Sequence, residues 1–297
     1  RTLYRKLNTA DLAFVDNDSA YLGLAQDKGT GSNANGLVGM AVKYGERLLS
    51  EYPAADGPDF CGLAFDPPPE KDPLWLDVIA LMPFDGNITN LAPSGISFTS
   101  TGTTISTTTV KYGSGALSVN GTSPGGGGPN GLASGTLSSG SRWGLTEGDF
   151  TIEAHVFLNN NVGGSGSLYA PILRTSSPLG GTEISFRIDN TNKLELLAAS
   201  SVGGQTLMTS SAAVTPGQWV HIAASRTGGA YRLFVDGAMF GPQTIAYSVP
   251  HGDKAVQIGT VGAYGVDGLI DNIRVTKASR YTANFTPPTK AYPTTGP

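Results

Sequence analysis

The sequence predicts an all-β fold, an antiparallel sandwich or jelly roll, and three observations point there. Apolar spacing of helical period is nearly absent after residue 75. Strand-length apolar segments recur every ~8–15 residues with turn formers between them, the rhythm of sandwiches and jelly rolls. The 297 residues include 41 glycines and 19 prolines, against average shares of about 7% and 5%, so the chain is rich in reversals.

Taken in order, residues 1–65 hold modest apolar runs, Leu12-Ala13-Phe14-Val15 and Tyr21-Leu22-Gly23-Leu24-Ala25, separated by Asp, Asn and Gly. A short helix is expected from Leu37 to Leu49, where Val38, Val42, Leu48 and Leu49 mix with Lys43, Glu46 and Arg47. Few large apolar groups mean little surface to bury alone. The segment therefore reads as an anchoring or oligomerisation element stabilised by docking, with an independent mini-domain as the alternative. Four prolines within residues 66–73 remove backbone donors and favour stiff extended chain, so this stretch reads as a linker ahead of a sandwich at 74–297.

The first sandwich strand is the apolar run Val78-Ile79-Ala80-Leu81-Met82-Pro83-Phe84, ended by Asp85-Gly86. Residues Ser94 to Ser141, rich in Ser, Thr and Gly, are expected to form one long mobile loop around the short strand Ala116-Leu117-Ser118-Val119. From Phe150 to Leu158, strict alternation puts Phe150, Ile152, Ala154, Val156 and Leu158 on one face and Thr151, Glu153, His155 and Phe157 on the other. Further strands are expected at Glu183 to Ile188, Lys193 to Ala198, Trp219 to Arg226, Tyr231 to Val235, Ala255 to Ile258 and Gly268 to Thr276. Asp236-Gly237 suits a two-residue hairpin, because Asp tolerates and Gly favours positive φ. Trp219 is expected to bury its ring in the core.

Composition narrows the function classes. Charged residues are only 14%, and 19 basic against 23 acidic side chains leave no basic field for phosphates, so nucleic acid is not an expected partner. The single cysteine, Cys61, rules out an intrachain disulfide. No apolar run approaches the ~18 residues of a membrane span, so no insertion into a membrane is expected. The start, Arg1-Thr2-Leu3-Tyr4, lacks both Met and the apolar core of a signal peptide, so processing or an incomplete N-terminus is expected.

Six segments then occur in a telling order. They are Val78–Gly86, Lys111–Val119, Gly148–Ala154, Trp219–Ala223, Leu233–Gly237 and Ile270–Val275. Together they resemble the laminin-G-like members of the concanavalin A-like lectin and glucanase superfamily, over Val78 to Pro288. The ending Arg280-Tyr281-Thr282-Ala283-Asn284-Phe285-Thr286-Pro287-Pro288 and the lead-in Asp72-Pro73-Leu74-Trp75 resemble tailed-bacteriophage structural proteins that carry this domain. The resemblance implies a concanavalin A-like antiparallel β-sandwich jelly roll on a small N-terminal anchoring segment.

The chemistry expected of such a domain is binding. Glycanases of this fold need two carboxylates about 5–5.5 Å apart for a retaining mechanism, and no Glu-x-Asp-x-Glu pattern occurs; Glu153 is followed at the next same-face position by His155. His155, His221 and His251 lie far apart in the sequence, and Cys61 falls outside the sandwich. No enzymatic activity is therefore expected. Glycan recognition would use aromatic faces and polar groups near loops, making Trp143, Tyr169, Tyr247, His251 and Tyr264 the candidates, each with ordinary packing as the alternative. Some laminin-G-like domains hold calcium at the rim through hard oxygens. The resemblance thus offers Asp85, Asp267 and Asp271 as calcium candidates, against turn formation at Asp85 and backbone or Arg274 pairing at Asp271.

These expectations combine into a non-enzymatic virion protein, a tail fibre or tail-associated adhesin, that displays a lectin-like sandwich to host-surface glycans. Its partners would be other virion proteins through residues 1–73 and a host glycan, in a homo-oligomer that is a trimer if it forms a fibre. The alternative is a capsid or tail decoration protein whose sandwich contacts other virion proteins. A secreted cellular lectin fits the missing signal and the phage-like ending less well.

Overall fold

The computed structural model describes residues 20–26, 37–43, 70–94, 96–119, 131–134, 145, 148–162, 168–176, 182–199, 205–244, 255–261 and 264–297. The chain divides into two compact units, Arg1–Glu70 and Lys71–Pro297. In the first, β1 (Ala20–Gln26) pairs antiparallel with β2 (Leu37–Lys43). The helix expected from Leu37 is thus a strand over its described part. Val38, Met40 and Val42 alternate at period two, two of them are β-branched, and Gly39 would cost a helix about 1 kcal/mol.

The second unit is a two-sheet sandwich in which every pairing is antiparallel. Its strands begin with β3 (Val78–Met82), β4 (Phe98–Thr101), β5 (Thr104–Ser106), β6 (Ala116–Val119), β7 (Gly131–Ser134), β8 (Phe150–Leu158) and β9 (Tyr169–Ser176). They continue with β10 (Thr182–Asp189), β11 (Lys193–Ala199), β12 (Gln205–Ala213), β13 (Trp219–Thr227), β14 (Ala230–Val235) and β15 (Ala238–Thr244). The last are β16 (Ala255–Ile258), the short ribbon β17 (Thr260–Val261) and β18 (Tyr264–Gly265), and β19 (Gly268–Thr276). One sheet has seven strands in the order β12-β11-β10-β9-β16-β7-β4; the other has eight, β15-β14-β13-β8-β19-β6-β5, with β3 also on β19.

The core lies between the sheets and follows the alternation in the sequence. Phe150, Ile152, Ala154, Val156 and Leu158 of β8 join Ile184, Phe186, Ile188, Leu194, Leu196, Val256 and Ile258 from the opposite sheet. Full burial of each large apolar side chain contributes roughly 1.5–3 kcal/mol. The Asp236-Gly237 hairpin forms with φ of 45° and 77°, bringing Val235 opposite Ala238. Trp219 is only half-buried, set edge-on to Phe157, with ring centroids 5.7 Å apart, on the outer face rather than in the core.

Ser94 to Ser141 is not one loop: β4, β5, β6 and β7 all fall within it. Strands β4, β5 and β7 are each pinned by a single apolar side chain, Phe98, Ile105 and Leu132, and β6 by Leu117 and Val119. Strand β9 goes unrecognised in the sequence because Pro171 interrupts it. The pairing with β10 jumps between Leu173 opposite Phe186 and Pro171 opposite Arg187, so Ile172 is the extra residue of a bulge, where proline is tolerated inside a sheet.

The outward face of β8 is also covered. Thr151, Glu153 and His155 are buried, because residues 277–297 cross the eight-stranded sheet as a strap. The strap is tied down by Arg280 N–H donating to Thr151 Oγ1 (2.8 Å), Phe285 N–H to the Gly237 carbonyl (3.1 Å) and Tyr112 hydroxyl to the Pro288 carbonyl (2.6 Å). Asp72, placed by composition in the linker, receives bonds from this region and is itself buried.

Candidate functional site

The outer face of the seven-stranded sheet carries the polar residues that the core alternation turns away from it. Strand β9 sends Ala170 and Leu173 inward and presents Tyr169, Pro171 and Arg174 outward; β10 presents Ser185, Arg187 and Asp189; β11 presents Glu195 and Leu197; β16 presents Gln257. In register, Tyr169 lies opposite Asp189, Pro171 opposite Arg187, and Arg174 between Ser185 and Gln257.

Two of the predicted aromatic residues meet here. The rings of Tyr169 and Tyr264 lie 4.5 Å apart at 35°, and the Arg187 guanidinium sits 4.5 Å from the Tyr169 ring centre. Arg187 Nε donates to Glu195 Oε2 at 2.8 Å, holding the guanidinium plane against the ring. Burial raises the Tyr169 hydroxyl pKa above its ordinary value despite the nearby arginines, so it stays a protonated donor and acceptor. Arg174 differs from Arg187. Its Nε is buried and has no hydrogen-bond partner, a deficit worth roughly 1–3 kcal/mol. The result is a partly exposed aromatic pair flanked by two guanidinium groups, a hydroxyl and an amide, suited to the apolar faces and hydroxyls of a sugar.

The other candidates are placed differently. Trp143, Tyr247 and His251 lie outside the described residues. Asp85 accepts from the backbone N–H groups of Ser114 and Gly115, tying its turn to the start of β6. Asp267 accepts from the side-chain amides of Asn159 (2.9 Å) and Asn160 (3.0 Å). Asp271 accepts from the backbone of Lys111 (2.9 Å) and Tyr112 (3.1 Å) and from the Asn272 amide (2.7 Å), while Arg274 pairs elsewhere. Among the described residues no three His, Cys, Asp or Glu side chains gather in a way that could hold a metal ion.

Beneath the strap lies a second polar cluster that the sequence did not reveal. Glu153 is paired with Arg274 (2.8 Å) and accepts from the Tyr281 hydroxyl (2.7 Å), with His221 Nε2 at 3.3 Å. Asp72 receives Arg280 (2.7 Å) and Arg274 (3.0 Å), and the Arg274 guanidinium covers the Tyr292 ring at 3.9 Å. His155, 155–221 being a facing pair in the sheet, stands 4.9 Å from the His221 ring. A histidine beside a carboxylate looks like acid–base machinery. Burial would raise the Glu153 pKa, yet the charge of Arg274, then His221 and Arg280, holds it far below the usual carboxylate range. The group is ionised and sealed, so it cannot deliver a proton to a substrate. Its only signal in the sequence was the polar face of β8, which alone reads as solvent-facing.

The sandwich resembles several solved structures, all at identities that speak of fold alone. The binding domain of Paraclostridial Mosquitocidal Protein 1 matches with a TM-score of 0.51 at 12% identity, covering 70% of this chain and 50% of that one. The binding domain of Botulinum Neurotoxin DC in complex with SialylT matches with a TM-score of 0.50 at 9% identity, covering 70% and 50%. Domain 4 of AbnA, a GH43 extracellular arabinanase from Geobacillus stearothermophilus in complex with arabinotriose, gives 0.49 at 16% identity, covering 68% and 93%. The chain thus spans half the length of the two toxin domains. No curated protein matches the sequence. Residues 130–283, which run from β7 to the start of the strap and include the whole aromatic face, match the Laminin_G_3 family profile. The chain belongs to the concanavalin A-like lectin/glucanases superfamily.

Proposed function

We propose that this protein is a non-catalytic, glycan-binding display module of a bacteriophage virion, with the Tyr169–Tyr264 face as its binding surface. The observation that carries the reading is the meeting of those two rings under the Arg187 guanidinium on a sheet face turned away from the core. Aromatic pairs of this kind offer sugar rings a flat apolar surface beside hydrogen-bonding groups. The binding domains of similar fold, one of them in complex with SialylT, are consistent with it. A non-enzymatic role is supported by the state of two carboxylates: Glu153 is sealed in an ion cluster and Glu195 is committed to Arg187.

The virion setting rests on the resemblance of Asp72–Trp75 and Arg280–Pro288 to phage structural proteins. Both segments belong to the polar seal of the eight-stranded sheet, through Asp72 and Arg280. Residues 1–73 would join the module to other virion proteins, and several copies would raise avidity without new contacts. A glycan array probed with the full chain and with Tyr264→Ala tests the binding role. Tyr264→Ala should lower retention about fivefold, with an unchanged melting temperature, since aromatic contacts of this kind are worth about 1 kcal/mol. Equal retention by both proteins would remove this face from the function. Immunogold labelling of particles separates an adhesin at the tail from decoration across the head.

A further inference from the structure

The row of side chains across the centre of the aromatic face has a chemistry of its own. Read in register it runs Leu197, Ser185, Arg174, Gln257, with Arg174 between a hydroxyl and an amide and no acid among these four. Among the described residues every other arginine has a hydrogen-bonded partner. Arg187 has Glu195, Arg226 has the Gly148 carbonyl, Arg232 the Ala230 carbonyl, and Arg274 and Arg280 have Asp72. Arg174 has no such partner among those residues, and its Nε is buried without one. Its guanidinium is therefore partly dehydrated, only partly exposed and uncompensated, further along the strand that carries Tyr169.

We propose that Arg174 is the anion-recognition residue of this face, so that the ligand is an acidic glycan whose carboxylate or sulfate ester binds Arg174 while a sugar ring packs on Tyr169 and Tyr264. The inference rests on the glycan-binding reading of the same surface. A guanidinium presents paired donors whose spacing matches two oxygens of a carboxylate or sulfate, and such charge-assisted bonds gain strength where water is already partly excluded. Gln257, partly exposed on one side, adds a neutral donor for the remaining oxygens, and the buried Ser185 on the other side brings no opposing charge. Arg187 contributes its plane rather than net charge, because Glu195 neutralises it.

The test is a binding series with the full chain against neutral, carboxylate-bearing and sulfated oligosaccharides, including each carboxylate glycan as its methyl ester. Wild type should bind an acidic glycan at least about tenfold tighter than its neutral ester or unsulfated form, with the preference weakening as salt rises. Arg174→Gln should bring that ratio to within about twofold, chiefly through lost affinity for the acidic form. Preference confined to the carboxylate arm or to the sulfate arm identifies the source of the oxyanion, and either supports the proposal. Equal binding of acid and neutral forms by wild type overturns the role of Arg174 but leaves the aromatic platform standing. Loss of acid preference in Arg174→Gln together with a lowered melting temperature is resolved by Arg174→Lys, which should retain the charge preference in part. No retention of any glycan by wild type overturns the platform and this inference with it.

Discussion

His155→Phe should flatten the acid sensitivity of the sandwich. The imidazole is 1% exposed, and neither ring nitrogen has a hydrogen-bond partner. It is surrounded by Tyr112 and His221 edge-on, the tilted ring of Tyr292, and Asp271 across the ladder on β19. Burial first, then the charges of His221 and Lys111, depress its pKa to about 3, with Glu153 acting weakly the other way. In the unfolded chain the group titrates near 6.5. The unfolded state therefore takes the proton first, so this contribution is complete above about pH 6.5 and is lost as pH falls toward 3. Each pH unit in that window costs up to ~1.4 kcal/mol. Between pH 6.5 and 4.5, before most unfolded-state carboxylates titrate, wild type should lose about 2–3 kcal/mol to this ring. Urea unfolding followed by tryptophan fluorescence at pH 7, 6, 5 and 4.5 measures the loss. The Phe variant should lose about 1 kcal/mol or less over the same span and be no less stable at pH 7, since two unsatisfied polar atoms are gone. His155→Leu guards against overpacking by the larger ring. Parallel pH profiles for wild type and both variants would refute the account.

Two further perturbations probe the strap and its seal. Removal of residues 1–70 should leave a cooperatively folding sandwich, whereas removal of 1–73 also takes Asp72 and should cost about 3–5 kcal/mol, because Arg274 and Arg280 lose a buried counter-charge; equal thermal melts for the two truncations would contradict this. Gly237→Ala places a methyl group against the Phe285 carbonyl at a position of φ 77°, so it should lower the melting temperature by several degrees and speed proteolysis within residues 277–297; unchanged cleavage there would show that the strap is not held at this hairpin.

Much of the sandwich was legible because its strands announce themselves through local chemistry. The period-two run of β8, the β-branched and aromatic content of β13 and β14, and the Asp236-Gly237 turn each carry their structure in neighbouring residues. Strand β9 was not legible, since Pro171 breaks the local pattern and only a bulge against β10 accommodates it. Strands β4, β5 and β7 within Ser94 to Ser141 were hidden for a related reason: each has one inward apolar side chain, too weak a signal until a partner strand supplies the ladder, whereas β6 alternates Leu117 and Val119 and was legible. Tyr169 and Tyr264 could be named individually as loop-side aromatics, but nothing in their separation of 95 positions said that the rings would meet.

What the sequence by itself determined is the fold class, the alternation that separates core from face, and the want of a repeated carboxylate pattern, all of which depend on residues close together in the chain. Only the tertiary structure decided which polar residues stay open and which are sealed. Glu153 and Arg174 both sit at outward positions of strands, and alternation treats them alike. The strap and Asp72 come from opposite ends of the sandwich, and by closing over Glu153 they turn a solvent-facing pattern into a buried ion cluster. Arg174 receives no such partner among the described residues, and so remains the charge available to a ligand.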